Sequence, residues 1–215
     1  MALEKRTEKA TSGCGPYHHG DLREALVRSA EELLEEKGSA DLSLREAAKR
    51  AGVSHAAPYR HFRSKSELLE AVAKAGFERL STYLAEVRER NPAQPVEQLR
   101  AAGQAYVKWA IANPERTRLM YGGMMKGDDV PDDLHEAAEA AYAVIFQVID
   151  EGRGAGIFAG PDTDTMVLSA WSLVHGLTML LLGSGKINAS GPDQVSALVS
   201  SVCETALEGI QTRHG

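Results

Sequence analysis

Residues 43–65, SLREAAKRAGVSHAAPYRHFRSK, decide how this chain is read, because they spell two short helical segments broken by a tight turn and carry a dense positive charge. Ser43 is placed to cap a helix whose apolar side is Leu44, Ala47, Ala48 and Ala51, and Gly52 supplies a left-handed residue to end it. Ala51-Gly52-Val53 forms the turn. Ser54 is placed to cap the next helix, on which Tyr59 and Phe62 recur at a helical spacing and anchor it on the first. Arg63-Ser64-Lys65-Ser66-Glu67 then opens a further helix. Arg45, Lys49, Arg50, Arg60, Arg63 and Lys65 stand here against the single carboxylate of Glu46, in a chain whose net charge is -6. Such a local reversal of sign points to a polyanionic partner.

Outward from this stretch the period is helical almost throughout, and the expected fold class is all-α with about nine helices. Leu22, Ala25, Leu26, Ala30, Leu33 and Leu34 form one stripe closed by Lys37-Gly38, which predicts a first helix from about Asp21 covering the helix-turn-helix. Leu68, Leu69, Val72, Ala73, Phe77, Leu80, Leu84 and Val87 mark a long helix joining this part to the rest, with a break at Asn91-Pro92-Ala93-Gln94-Pro95. Leu99, Tyr106, Val107 and Ile111 mark the next, and Asn113-Pro114 offers a cap and a first-turn proline for the one after, ending at Gly122-Gly123. Leu134 to Ile149 reads as a helix stopped by Gly152-Arg153-Gly154-Ala155-Gly156, a run that resembles a nucleotide loop but follows a helix rather than a strand. Asp162 or Thr163 caps the eighth helix, and Gly191-Pro192 opens the ninth, whose Val195, Leu198, Val199, Val202, Ala206, Leu207 and Ile210 keep one face apolar.

Composition bounds the rest. A 215-residue chain with 43% hydrophobic and 25% charged residues is a soluble globular protein, able to bury one substantial core or two small ones. Cys14 and Cys203 sit at opposite ends, so neither a disulfide framework nor a zinc spacing is present, and a reducing cytoplasm fits. Residues 1–16 hold Lys5, Arg6 and Lys9 without an apolar segment, which reads as an arm and not a signal peptide. Met166 to Leu182 has the length of a membrane span but contains Ser169, Ser172, His175, Gly176 and Thr178 and lacks positive flanks; a helix buried by a core or a subunit interface is expected there instead.

The ordered set Ser43, Ala51-Gly52-Val53-Ser54, Tyr59, His61-Phe62 and Ser64-Lys65 resembles the DNA-binding domain of the TetR family of bacterial transcriptional regulators, from near Tyr17 through Leu69. Trp171, His175 and Gly176, in WSLVHG, look like the Trp-His-Gly signature of a subgroup of its regulatory domains. The resemblance implies an N-terminal arm over 1–16, a three-helix DNA-binding domain over 17–66, and a ligand-binding and dimerisation domain over 67–215. It assigns Arg45 and His55 to base edges and Tyr59, His61 and Lys65 to phosphates. Ala56, Ala57 and Pro58 stand where many relatives have glycine or proline, then threonine, then leucine. A threonine hydroxyl is thereby lost, while the methyls of Ala56 and Ala57 are suited to meet thymine methyls in the major groove.

The implied protein is a cytoplasmic homodimeric repressor that binds a palindromic double-stranded DNA operator and is released by a small-molecule effector, with no cofactor, no metal, no membrane and no enzymatic activity. One recognition helix touches too few base pairs to single out a site, so two copies on a twofold axis suit the task. Trp171 and His175 are the first candidates for effector contact, followed by Tyr106, Trp109, Tyr121, Phe146 and Met179. Each is equally suited to a core, and His175 stands out because a buried imidazole needs a hydrogen-bond partner. Two other classes are weaker. A helical enzyme finds no Gly-x-Ser-x-Gly, no His-Glu-x-x-His and no phosphate loop after a strand. A metal sensor would need Cys14, His18 and His19, and adjacent histidines do not share a helical face.

Overall fold

The computed structural model describes residues 19–92, 94–122, 130–183 and 191–210. These form eight α-helices and one 3-10 helix: α1 His19–Lys37, α2 Leu44–Arg50, the 3-10 helix Pro58–Arg60, α3 Lys65–Glu89, α4 Pro95–Ala112, α5 Pro114–Tyr121, α6 Asp132–Gly154, α7 Thr163–Gly183 and α8 Pro192–Ile210. The all-α expectation therefore holds, and Cys14, His18 and Gly123 lie outside the described residues.

The N-terminal unit is organised by caps. Ser43 Oγ accepts from the Glu46 backbone N–H at 3.2 Å and starts α2, and Ser64 Oγ does the same for Glu67 and α3 at 3.2 Å. Gly52 takes φ +70° after α2, as the turn requires. The second helix of the motif differs from expectation. Ser54 does not cap an α-helix; the chain turns through residues 54–57 and winds only Pro58–Arg60, as a 3-10 helix without a side-chain cap. Pro58 accounts for this, because it has no N–H with which to bond back to Ser54 and it is buried against the unit. Phe62, 1% exposed, still anchors the segment, and Arg23 of α1 lies over its ring at 5.2 Å.

α3, about 37 Å long at 1.5 Å per residue, opens in the N-terminal unit and runs along α4, α5 and α6. One apolar cluster is continuous from Leu26, Leu42 and Phe62 through Phe77, Leu80 and Leu84 to Tyr106, Leu134 and Cys203. A second joins Leu99, Val148, Ile149, Phe158, Met166, Val167 and Leu207 where α4, α6, α7 and α8 meet.

Two sequence expectations need correcting in this half. α6 does not stop at Ile149 but continues through Gly152 to Gly154, and the chain reverses at Gly156 with φ +72°. Gly152 is fixed by packing, since a Cβ there would overlap the Phe158 ring, so the glycine run serves a helix end. Asn113 does not cap α5 with its side chain either; its Nδ2 donates back to the Trp109 carbonyl at 2.8 Å and its Oδ1 accepts from Arg116 at 3.1 Å. The cap comes from α1, where the Glu35 carboxylate accepts from the backbone N–H groups of Glu115 at 3.2 Å and Arg116 at 3.1 Å. Asp162 does cap α7, accepting from the Thr165 N–H at 2.8 Å. α7 is apolar enough to cross a membrane by length and composition, yet only 22% of its most apolar window is buried within one chain.

Candidate nucleic-acid interface and apolar cavity

The basic surface of the N-terminal unit is sorted by hydrogen bonding. Arg50 is held on α1 by Glu36, at 2.5 and 2.8 Å, and by Glu32 at 3.1 Å, so it locks α2 to α1. The Arg50 side chain keeps the Glu36 carboxyl below the usual carboxylate range. Glu46 is likewise held low, first by the Lys37 ammonium at 2.9 Å and then by Ser43. Arg63 bonds Glu67, and Lys65 donates to the Ala40 carbonyl at 2.7 Å, tying the loop before α2 to the start of α3. The lysine keeps two further N–H donors, enough for a phosphate.

Arg45, Lys49 and Arg60 remain exposed, with no hydrogen bond or ion pair to the described residues. His55, Ala56 and Tyr59 are exposed beside them, Tyr59 by 53%, while Ala57 and His61 are half-buried. The His61 Nε2 is enclosed and has no partner among the described residues. The expected DNA-facing residues thus divide into exposed side chains of α2 and the following turn, and three half-buried ones, Ala57, His61 and Lys65, of which the last also has a structural bond.

The second feature is a cavity of about 550 Å³ walled by α3 to α8, within the roughly 300–1,000 Å³ of small-molecule sites. Three of the expected effector contacts line it: Tyr106, Tyr121 and Trp171. His175 stands directly behind them. Its Nδ1 is hydrogen-bonded to the Tyr106 hydroxyl at 2.6 Å, its ring stacks on Trp171 at 5.0 Å and 24°, and it meets the Tyr121 ring edge-on at 4.6 Å. Burial lowers the His175 pKa, raises that of Tyr106, and pushes Tyr121 up to about 12, so all three are neutral at physiological pH. Trp109, Phe146 and Met179 are half-buried and off the cavity wall; Trp109 packs on the main cluster and Phe146 on the smaller one.

Sequence reasoning did not pick Arg100, Gly103 and Cys203, which form the α4–α8 side of the wall. The signal was faint but present: Leu99, Gly103 and Tyr106 repeat at three- and four-residue steps. A Cβ on Gly103 would stand 2.9 Å from the Cys203 sulfur, so the missing side chain is what lets the two helices close. Among the described residues no group of three His, Cys, Asp or Glu side chains is arranged to hold a metal ion.

Comparison with known proteins fits both features. The family profile described as bacterial regulatory proteins of the tetR family matches residues 26–72, and the one described as tetracyclin repressor-like, C-terminal domain, matches residues 99–205. The chain belongs to the TetR family. An HTH-type transcriptional regulator of Mycobacterium tuberculosis is 31% identical over 145 residues, which cover 65% of this chain and 61% of that protein. The chain thus spans less than two thirds of the length of that relative. A protein of unknown function from Rhodococcus sp. RHA1 is 34% identical and superposes with a TM-score of 0.81 over 92% of this chain and 99% of the other. The regulator FadR of Bacillus subtilis, solved in complex with stearoyl-CoA, shares the fold at 18% identity, with a TM-score of 0.70 over 87% of this chain and 99% of its own.

Proposed function

We propose that this TetR-family chain is a homodimeric, cytoplasmic repressor that binds a palindromic operator through α2 and the Pro58–Arg60 turn and is released when a small molecule fills the cavity. The observation that carries this reading is α3. It begins in the DNA-facing unit with Lys65 and presents Phe77, Leu80 and Leu84 to the cavity further along, so one rigid element touches both places. A ligand that prefers the arrangement unsuited to DNA, with a coupling of roughly 1–3 kcal/mol, weakens operator binding about 5–150-fold.

Arg45 and His55 are assigned to base edges, Ala56 and Ala57 to thymine methyls, and Tyr59, His61 and Lys65 to phosphates. Exposure of Arg45, His55, Ala56 and Tyr59 supports this assignment, while Ala57 and His61 are half-buried. The dimer reading is supported by α7, where Leu168, Trp171, Leu173 and Leu180 are 55, 37, 41 and 51% exposed on an otherwise apolar helix. A second copy would cover them, with α8 completing the seam. Trp171, His175 and Gly176 assign the regulatory domain, on this reading, to the Trp-His-Gly subgroup.

The test is selection of bound sequences from a random duplex pool by the purified full chain, with sedimentation of the protein alone and on the selected site. A palindrome bound by two copies is the expected result. Recovery of no sequence preference, with binding that simply falls as salt rises, would refute the repressor reading.

A further inference from the structure

Resting on the reading of the cavity as the effector site, we propose that its occupant is a medium-chain aliphatic carboxylate whose acid group is gripped by Arg100. Among the described residues Arg100 is the single cation on the cavity wall. Its guanidinium uses Nη1 for Glu97, at 2.5 Å, on the outer side of α4. The Nε is enclosed and has no acceptor among the described residues, and no hydrogen bond to Nη2 is made by them either. Because the Nε is shut away from the cavity space, Nη2 is the guanidinium nitrogen left for a ligand carboxylate. A guanidinium nitrogen on an apolar wall without an acceptor of its own calls for an anionic partner.

Nothing else on the wall supplies that partner. The Cys203 thiol lies on the same side, and burial pushes its pKa up, so it remains uncharged. Among the described residues Glu139 is the single wall carboxylate, but it is exposed and sits ten residues before Ile149, which packs at the Leu99 end; that is about 15 Å away along α6. From Arg100 the cavity runs past Gly103 to Tyr106, roughly 9 Å along α4, between walls of Leu80, Leu84, Ala102 and Val167. At that far end the Tyr106 hydroxyl is already engaged by His175, and the wall is made by the rings of Tyr106, Tyr121 and Trp171. One charged grip at one end and a hydrocarbon tunnel beyond it match a chain with an acid head.

The experiment titrates the full chain with dodecanoic acid and with its methyl ester, reading Trp171 fluorescence and calorimetric heat. The acid is expected to bind the wild type more tightly than the ester. Arg100→Gln is expected to weaken the acid about 10–100-fold and to leave the ester unchanged, which also shows that the cavity is intact; Arg100→Lys should fall between. Equal affinity of the wild type for acid and ester, no binding of the acid, or an acid affinity indifferent to Arg100→Gln overturns the proposal. Operator release is measured separately. Acid that binds through Arg100 and leaves operator affinity unaltered removes the effector reading while this assignment stands; release by a neutral compound alone, with no acid binding, does the reverse.

Discussion

Gly76→Ala tests how tightly the cavity-bearing helices are packed. Gly76 lies in α3 where α5 crosses, and a Cβ there would stand 2.6 Å from the Met120 sulfur and 3.1 and 3.2 Å from Cδ and Cγ of Arg116. Two effects oppose. Replacing glycine by alanine in a helix interior stabilises by about 0.8–1 kcal/mol, whereas forcing a methyl into a filled core costs about 1–3 kcal/mol. Met120 is fully buried, so its sulfur has no solvent-side space to move into, and Arg116, 9% exposed, must also give by a few tenths of an ångström. The clash should win, leaving a net loss of about 1 kcal/mol, or about 2–4 °C in Tm for a chain of this size.

The sign is made diagnostic by a double-mutant cycle in urea at constant pH. Met120→Ala alone costs about 2–5 kcal/mol. Adding Gly76→Ala to it should recover about 0.5–1 kcal/mol, because the helix preference then acts with the main obstruction gone. The two changes should therefore couple by about 1–2 kcal/mol. Stabilisation by Gly76→Ala of the same size with and without Met120 would refute the packing argument.

Arg45→Ala should relax preference at one base pair per half-site at a cost of about 1–3 kcal/mol, while Lys65→Ala weakens all sequences alike and lowers the salt slope by about one; parallel selections on random duplexes separate them. Glu35→Ala removes the α5 cap and should cost about 1–2 kcal/mol in urea unfolding, with Glu35→Gln restoring part of the loss. The pH dependence has a definite sign. His175 has a folded pKa below its ordinary value because of burial, so the unfolded chain binds the extra proton. Stability contributed there is complete above the ordinary histidine range of about pH 6.5 and is lost as the pH falls below it through the depressed folded value; His175→Gln should flatten that segment of the stability profile, and an unchanged slope would exclude His175 as its source.

Much of this molecule was legible because its signals are local. The cap at Ser43, the left-handed Gly52, the proline opening α5 and the apolar stripe of α3 each follow from side chains within a few residues. Misreadings arose where a distant group intervenes. Asn113 has the right chemistry to cap α5, but Glu35, about eighty positions earlier, supplies the carboxylate. The glycine run after Ile149 does end α6, but where within it the helix stops, at Gly154, goes with Phe158, which folds back to pack on Gly152. The cavity followed the same division: Tyr106, Tyr121 and Trp171 stand out by size, whereas Arg100 acquires its meaning from its place on an otherwise apolar wall, a property of the packed helices and not of the residue type.

The long-range contacts that escaped the sequence are also those of the right size for regulation. The cluster joining Leu26, Phe62, Phe77 and Leu80 is too large to exchange between states, since each large buried side chain represents about 1.5–3 kcal/mol of burial and the whole must be kept in both. The Glu35 cap is different. It joins α1 to the first turn of α5, whose last residue, Tyr121, faces the cavity. Two hydrogen bonds to one carboxylate at a helix N-terminus are worth about 1–3 kcal/mol, the same range as a typical coupling between two ligand sites. A ligand that displaces Tyr121 can therefore loosen α1 by giving up this contact alone, and a repressor on this reading needs no larger rearrangement to let go of its operator.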